Sequence, residues 1–538
     1  MGIPSYFSYI VKNHQRIIRK LERNKKPNNF YLDCNSIIYD VINNAENNIV
    51  ETTTYATIIS LVISKTEEYI LFVSPTTNVF IAFDGVAPFA KLEQQRQRRY
   101  KSWYQNKIHD QIFESASASA SKTSDKPAQK WNSAAITPGT QFMKELNEAL
   151  YSYFNKARAE TYNVKNLMVS GSNEVGEGEH KIFEYIRKTG YQPGSTFIYG
   201  LDSDLIMLSL NHLVINPNIY LFREAPHFSM GELESGESYL MDIGELSKQI
   251  AIEMNGGSVV DYIFLCFFLG NDFMPHFPSL NIRTGGIDKM MNAYKEINTG
   301  GKNIQLTDGT QIYWKNVRKL CAFLAKHEEK NLIQEVELRD KKEGMYKRFE
   351  EKTPENIFKP KNSSWSMTDE VRNPMDSKLQ QFKKFELLPS YEREVEKYIN
   401  PLQPYWQERY YETLFAFSGN DAAKKRAVSL NYLEGLEWNI KYYTSACPDW
   451  RWKYNYHYPP LLNDLLKEMP YFETGPKEVL ASALIPVTEL FQLYYVLPKH
   501  SAYLLPGYLR EKKEEEDEDY EFIWCFCKYF WECNVMLT

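Results

Sequence analysis

Four short apolar runs punctuate the first two hundred residues, and each leads into acid. Phe30-Tyr31-Leu32 runs into Asp33, and Asn78-Val79-Phe80-Ile81-Ala82-Phe83 runs into Asp84. Leu167-Met168-Val169-Ser170 and Thr196-Phe197-Ile198-Tyr199 precede the pairs Glu177/Glu179 and Asp202/Asp204. Short runs rich in aromatic and β-branched side chains predict strands. Helical patterns separate them, one being Ile182 to Lys188 directly after Glu179. This alternation predicts an α/β sheet with functional groups at the strand ends.

Further along, the apolar run Tyr262 to Leu269 leads to Asn271-Asp272. Ser115 to Ser124 (SASASASKTS) is polar and low in complexity, so a surface loop is expected. The charged stretch Arg339 to Ser377 reads as a linker with some helix. A second apolar and aromatic region is expected from Phe382 onward. The charge run Glu511 to Asp519 reads as a solvated loop.

Composition narrows the class. The chain has 538 residues, more than one ordinary domain holds. Aromatics make up 14%, with 38 Tyr, enough to fill a core and still offer stacking surfaces. Net charge is 63 − 69 = −6, which argues against a nucleic-acid binder on overall balance alone. Local patches override that balance, because screening confines charge effects to roughly 8–10 Å. Seven cysteines in so long a chain do not form a disulfide framework. Cys525, Cys527 and Cys533 lack the second pair or nearby His of a zinc site, so buried free thiols in a reducing compartment are expected. No apolar run of about eighteen residues predicts a membrane span. The N-terminus lacks a signal-peptide layout, and Tyr6 stands where a myristoylation signal needs Ser or Thr.

Seven carboxylates stand out: Asp33, Asp84, Glu177, Glu179, Asp202, Asp204 and Asp272. Each alone has an ordinary reading. Asp84 before Gly85, and Asp272 after Asn271, read as turns. Glu177 and Glu179 complement a helix dipole, and Asp202 and Asp204 suit a helix cap. Jointly they predict something else. Seven ionised acids at one place repel one another, and hard divalent cations relieve this. Two such ions about 3.5–4 Å apart would suit phosphodiester hydrolysis. Residues two apart on a helix do not share a face, so Gly178 is expected to let the chain enter its helix with both glutamates aimed inward.

Beside Asp84 lies a cationic strip. Lys91, Gln95 and Arg98 share a helical face, with Arg99 at its edge. The strip reads either as a solvated helix face or as a seat for a terminal phosphate, which Arg can grip bidentately. Trp450-Arg451-Trp452-Lys453-Tyr454-Asn455-Tyr456-His457-Tyr458 interleaves aromatics with cations and reads either as core or as a base-stacking surface.

In family order these motifs resemble the Xrn-type 5′→3′ exoribonucleases over most of the chain: Met1-Gly2-Ile3-Pro4, Asp84-Gly85-Val86-Ala87-Pro88, Gln94 to Arg99, Ile136-Thr137-Pro138-Gly139-Thr140, Gly176 to Lys181, Gly270-Asn271-Asp272-Phe273 and Tyr456-His457-Tyr458. The resemblance implies that the seven carboxylates bind two Mg²⁺ or Mn²⁺ ions. It implies a 5′-phosphate pocket of Lys91, Gln95, Arg98 and Arg99, and stacking of the terminal base by Tyr39 and by Trp450 or Trp452. The implied reaction is processive 5′→3′ hydrolysis of single-stranded RNA bearing a 5′ monophosphate, releasing nucleoside 5′-monophosphates. The implied fold is a PIN/flap-nuclease-like α/β sheet with flanking helices, plus a second α-rich lobe that encloses the active site. The expected division is a nuclease domain over residues 1–300, a helical and polar linker over 301–380, and the second lobe over 381–538.

The sequence departs from the family pattern at two places near the site. Tyr39 stands where a His is usual, which removes a titration near neutrality. Phe89 stands where an Arg is common, which removes a positive charge. The long C-terminal extensions of the large cytoplasmic relatives are not expected here. A structure-specific 5′ DNA flap or gap nuclease is the alternative, and a catalytically silent scaffold is a third reading. The cytoplasm is the expected compartment, with the nucleus as the alternative.

Overall fold

A computed structural model describes residues 2–22, 25–47, 54–117, 131–224, 237–299, 304–352, 393–471 and 485–516. Its N-terminal half is built on seven strands. They are β1 (Ile18–Lys20), β2 (Asn29–Asp33), β3 (Asn78–Ala82), β4 (Asn166–Ser170), β5 (Thr196–Tyr199), β6 (Ile219–Glu224) and β7 (Ser238–Asp242). The order across the sheet is β1-β7-β6-β5-β2-β3-β4. Strands β4, β3, β2, β5 and β6 run parallel, and β7 runs antiparallel to both β6 and β1. The four apolar runs read from the sequence are β2 to β5. Strands β6 and β7 carry short apolar runs as well (Ile219 to Phe222 and Tyr239 to Met241) that are not among those four, and β1 carries none.

Every residue of β2, β3 and β5 is buried. Burial of both faces is what parallel strands with helical crossovers require. One face is covered by α1 (Tyr6–Asn13), α7 (Gly178–Thr189), α8 (Asp204–His212), α9 (Ile243–Glu253) and α10 (Val259–Cys266). The other is covered by α2 (Asn35–Asn47), α3 (Tyr55–Val73), α5 (Gln141–Tyr153) and α6 (Lys156–Thr161). Each fully buried Ile, Leu or Phe in these layers contributes about 1.5–3 kcal/mol.

Register is set at the N-terminal ends of the strands by a ladder of side-chain amides. The Asn166 side-chain amide donates to Asn78 (2.8 Å), that of Asn78 to Asn29 (2.7 Å), and that of Asn29 to the Thr196 hydroxyl (3.1 Å). These four residues face one another across β4, β3, β2 and β5. A slip of one residue would turn each strand's side chains to the opposite face and break the ladder.

Helix α4 (Phe89–Ser117) follows β3. The C-terminal half is helical: α11 (Gly286–Ile297), α12 (Trp314–Lys352), α13 (Glu394–Ile399), α14 (Trp406–Phe415), α15 (Ala422–Thr444), α16 (Leu462–Glu468), α17 (Glu489–Val496) and α18 (Gly507–Glu514). Val317, Leu320 and Leu324 of α12, and Tyr432, Leu436 and Trp438 of α15, join the same core as α7, α8 and α10. The two halves therefore share one interior.

Within the helical and polar linker expected over 301–380, residues 314–352 form one long helix. Its polar stretch is solvated in part, with Asp340, Lys341 and Lys342 exposed and Arg339 and Glu343 buried in ion pairs. The Arg339 guanidinium pairs with Glu335 (3.1 Å) and Glu396 (2.5 Å), and that of Arg393 with Glu343 (3.1 Å) and Glu396 (2.6 Å). Two expected loops are likewise partly helical. Ser115 to Ser117 complete α4, and Glu511 to Glu514 belong to α18, where Lys513 is buried with its ammonium 2.6 Å from Glu516. Residues 118–124, 517–519, Phe382 and the cluster Cys525, Cys527 and Cys533 lie outside the described residues. No described helix is long and apolar enough to cross a membrane.

Candidate active site

The acids collect at the C-terminal rim of the parallel strands. Asp33 ends β2, and Asp84 lies two residues beyond β3. Glu177 caps the N-terminus of α7 and Glu179 sits in its first turn. Asp202 follows β5 and Asp204 opens α8, while Asp272 stands in the turn after α10. Asp33, Glu177, Glu179, Asp204 and Asp272 are buried. Carboxylate oxygens of Asp33, Asp84 and Glu179 lie within 4.8 Å of one another.

Two glycines shape the turn that presents the glutamates. Gly176 has φ of 110°, the left-handed region that a side chain would strain. Gly178 is needed for space rather than for an unusual φ. A Cβ there would meet Asp33 Oδ1 at 2.4 Å, and its backbone N–H donates to Asp84 Oδ1 at 2.7 Å. The expectation about Gly178 is thereby divided: Gly176 bends the chain, and Gly178 admits two carboxylates against the backbone. Asp84 is held further by the Asn35 side-chain amide (2.5 Å).

Lys91 is the cation of this cluster. Its ammonium lies 2.7 Å from Glu177 Oε2 and 2.5 Å from Asp272 Oδ2. Expected in the phosphate pocket, it sits among the acids, because it lies in the first turn of α4, close to the rim. Burial pushes the Asp33, Glu179 and Asp204 carboxyls well above the usual carboxylate range, and their acidic neighbours push them further. Burial also raises Glu177, against the pull of Lys91. Asp202 is held below the usual range: burial opposes its charge, but nearby positive charge, that of Lys91 included, and the Asp204 backbone N–H outweigh it. Asp33 Oδ1 and Asp204 Oδ1 are buried without a hydrogen-bond partner. An orphaned buried acceptor is costly unless something else completes it.

Further along α4 lie Gln95, Arg98 and Arg99. Gln95 Oε1 and Arg99 Nη1 are buried without partners. Burial pushes the Arg99 guanidinium down to about 10, with Tyr39 opposing and Arg98 reinforcing the shift. Tyr39 of α2 thus lies beside the arginines. Trp452 is buried, its ring stacked on Trp438 at 5.3 Å and 23°, and its indole N–H donates to Glu434 (3.3 Å). Trp450 is only half-buried, and its carbonyl accepts the Phe89 backbone N–H (3.0 Å). Phe89 packs on Tyr495 and Phe491, with ring centroids 5.1 and 6.1 Å apart, so this departure joins α4 to α17.

Sequence reasoning missed the contribution of α15. The Tyr442 hydroxyl donates to Glu177 Oε1 (2.9 Å), and its ring stacks on His180 at 3.8 Å. Asn439 accepts from the Asn271 side chain (2.7 Å) beside Asp272, and Tyr443 lies against Asp204. Nothing local marks these residues, since they sit in an ordinary buried helix 265 positions beyond Glu177. Lys181 was quoted only within a motif. Its buried ammonium donates to the carbonyls of Phe83 (2.8 Å) and Gly171 (2.7 Å), bracing α7 against β3 and β4.

Fold and site place the chain among α/β proteins with a carboxylate centre at the rim of a parallel sheet. It belongs to the Xrn family: residues 1–225 match "XRN 5'-3' exonuclease N-terminus" and residues 255–522 match "Xrn1 helical domain". Asp272 falls in the second matched segment and the other six acids in the first. The chain is 26% identical to 5'-3' exoribonuclease 1 of Schizosaccharomyces pombe, over 95% of this chain and 45% of that protein. It is 26% identical to 5'-3' exoribonuclease 1 of Saccharomyces cerevisiae, over 96% and 40%. It is 28% identical to 5'-3' exoribonuclease 2 of Arabidopsis thaliana, over 96% and 63%. The chain thus spans between 40% and 63% of the length of these relatives. The catalytic core of Rad2 in complex with DNA substrate is similar only at TM-score 0.30 and 14% identity, over 56% of this chain and 73% of that one, too slight to bear on function.

Proposed function

We propose that the chain is a processive 5′→3′ exoribonuclease that hydrolyses single-stranded RNA bearing a 5′ monophosphate to nucleoside 5′-monophosphates, with two Mg²⁺ or Mn²⁺ ions. The observation that carries this reading is the contact between two groups of residues. Two of the seven carboxylates at the sheet rim, Glu177 and Asp272, are paired with Lys91 on the helix that holds Gln95, Arg98 and Arg99.

The residues fit hard cations. The donors are all carboxylate oxygens, two of them buried and unpartnered. Asp33, Asp84, Glu177, Glu179, Asp202, Asp204 and Asp272 would hold the ions, which would supply an activated water and neutralise charge on the scissile phosphate. Lys91, Gln95, Arg98 and Arg99 would bind the terminal phosphate, Arg99 Nη1 being a buried donor left open there. Tyr39 and Trp450 would flank the terminal base. Tyr442 and Tyr443 cover the acids from the side of α15, which favours entry by one unpaired end over a continuous duplex.

Digestion with Mg²⁺ of one RNA sequence carrying a 5′ monophosphate, a 5′ hydroxyl or a cap tests the reading. Only the monophosphate form should be degraded rapidly, and equal rates on all three would remove the pocket assignment. DNA of the same sequence, single-stranded and as a flap, tests the alternative. Cleavage of the flap without turnover of single-stranded RNA would make the chain a DNA flap nuclease.

A further inference from the structure

His180 stands in the first turn of α7, and the reaction proposed above gives it no part. It follows Glu179 directly and lies three positions after Glu177, so Glu177 and His180 share one side of the helix entrance. It is only 7% exposed. Its ring is stacked on Tyr442 at 3.8 Å and stands edge-on to Tyr443 at 5.8 Å. Among the described residues its ring nitrogens make no hydrogen bond. A histidine kept only for its ring would leave a donor and an acceptor unmet there, at about 1–3 kcal/mol for each.

The acids beside it supply the other half of a site. One ring nitrogen of His180 and one carboxylate oxygen each of Glu177 and Glu179 lie within 4.8 Å of one another, and all three residues are buried. Oxygens of Asp33, Asp84 and Glu179 form a second group within the same distance. Glu179 belongs to both groups, and its side chain, like that of His180, makes no hydrogen bond among the described residues. A carboxylate has two oxygens and about four lone-pair directions, so it can bridge two cations. Glu177 is engaged by the Tyr442 hydroxyl at 2.9 Å and the Lys91 ammonium at 2.7 Å, one on each oxygen, and each oxygen keeps a second lone pair. The spacing of Glu177 and His180 is that of the Glu-x-x-His pair by which helices offer a carboxylate and an imidazole to paired metals.

We propose that His180 is a metal ligand and that the two ion positions differ. One centres on Asp33, Asp84 and Glu179 and is all oxygen. The other centres on Glu177, Glu179 and His180 and has a nitrogen ligand, with Glu179 bridging the two. This inference rests on the metal dependence proposed above and adds a consequence for metal choice. Carboxylate oxygens suit Mg²⁺, whereas an imidazole favours transition metals. The second position therefore prefers Mn²⁺ to Mg²⁺, while the first accepts either. Tyr442 fixes the plane of the imidazole and Tyr443 closes one side of it, so packing rather than a hydrogen bond aims the nitrogen.

The test is pulsed EPR of the untagged full chain without RNA, carrying less than one Mn²⁺ per chain in an excess of Mg²⁺. Wild type should show coupling of Mn²⁺ to an imidazole ¹⁴N, and protein made with ¹⁵N-histidine should show ¹⁵N coupling in its place. His180→Gln should lose that coupling and lower the preference for Mn²⁺ over Mg²⁺ by on the order of tenfold, with every acid intact. Wild type without histidine coupling would overturn the proposal, and the labelled protein answers this whether or not the variant folds. Coupling that persists in His180→Gln would overturn it too, by placing another histidine at the metal. Cleavage of 5′-monophosphorylated RNA is read separately on the same preparations. Histidine coupling without cleavage would leave the mixed-ligand site standing and sink the exonuclease reading, and cleavage without coupling would do the reverse.

Discussion

The two ends of the parallel strands are built on opposite terms. At the N-terminal end, Asn166, Asn78, Asn29 and Thr196 form an uncharged ladder in which each donor has an acceptor. At the C-terminal end, seven acids are gathered, two of them paired with one lysine, and two buried oxygens have no partner. The first arrangement stabilises the register. The second costs stability, through like-charge repulsion and desolvation, and is held in place by the first. Five or so residues of strand separate them, so one sheet keeps its stabilising end rigid while its reactive end stays strained.

Breaking the reactive end should have the largest effect on turnover. Asp202→Ala with Asp204→Ala should lower RNA cleavage by on the order of a thousandfold or more, as expected when charge stabilisation worth several kcal/mol is lost. The metal-free double variant should melt no lower than wild type, and the upward shift of its melting temperature with Mn²⁺ should disappear. A melting temperature that falls sharply in EDTA would mean that these acids stabilise the fold, and the contrast between the ends would collapse.

Lys91→Met should be the most destabilising single change at that end. It leaves Glu177 and Asp272 without their cation, a loss of about 3–5 kcal/mol for a buried pair. Denaturant unfolding in EDTA measures it, and added Mn²⁺ should recover part of the loss. Asn78→Ala attacks the other end and leaves the buried Asn29 acceptor unpaired, about 1–3 kcal/mol, while the exposed Asn166 amide turns to water. Its loss should be the same with and without metal, and turnover per folded molecule should be unchanged. A metal-dependent loss would show that the two ends are coupled.

Tyr442→Phe removes one hydrogen bond to Glu177 and keeps the ring on His180. The expected loss is about 1–2 kcal/mol in Mn²⁺ affinity by thermal titration, with metal-free stability nearly unchanged. Glu328 separates burial from crowding. It is a buried carboxyl away from the rim, accepting the Leu462 backbone N–H (2.9 and 3.0 Å), and burial pushes it up to about 8 from an ordinary 4.5. Because its folded value is raised, its stabilising contribution is complete below about pH 4.5 and is lost as pH rises through about 8. Glu328→Gln should therefore flatten the fall in melting temperature between about pH 4.5 and about pH 8. An unchanged slope would show that burial alone does not raise this carboxyl.

Legibility differed along the chain for physical reasons. Strands β2, β3 and β5 were readable because burial of both faces demands unbroken apolar runs, and β4 carries such a run although it is only partly buried. Strand β6 carries a comparable run, Ile219 to Phe222, that went unread, and β1 carries none. The seven acids were readable because each stands just past an apolar run. The pairing of Lys91 with Glu177 and Asp272 was not readable, since helical spacing gives a shared face but not depth, and the first turn of α4 lies at the acids. Tyr442, Tyr443 and Asn439 were invisible, because a buried tyrosine on a core helix has the same local pattern whether or not a carboxylate lies above it. The polar stretch from Arg339 hides its ion pairs for the converse reason, two of them being made to residues fifty or more positions away.

By itself the sequence determined which segments become the central strands, where their acids stand, and which helix carries the cationic strip. Those properties follow from local burial patterns and from the repulsion of like charges. Tertiary structure decided the rest: which cation enters the acid cluster and which helix of the C-terminal half covers it. These depend on side chains that meet only after residues hundreds of positions apart share one core, and no local propensity encodes that meeting.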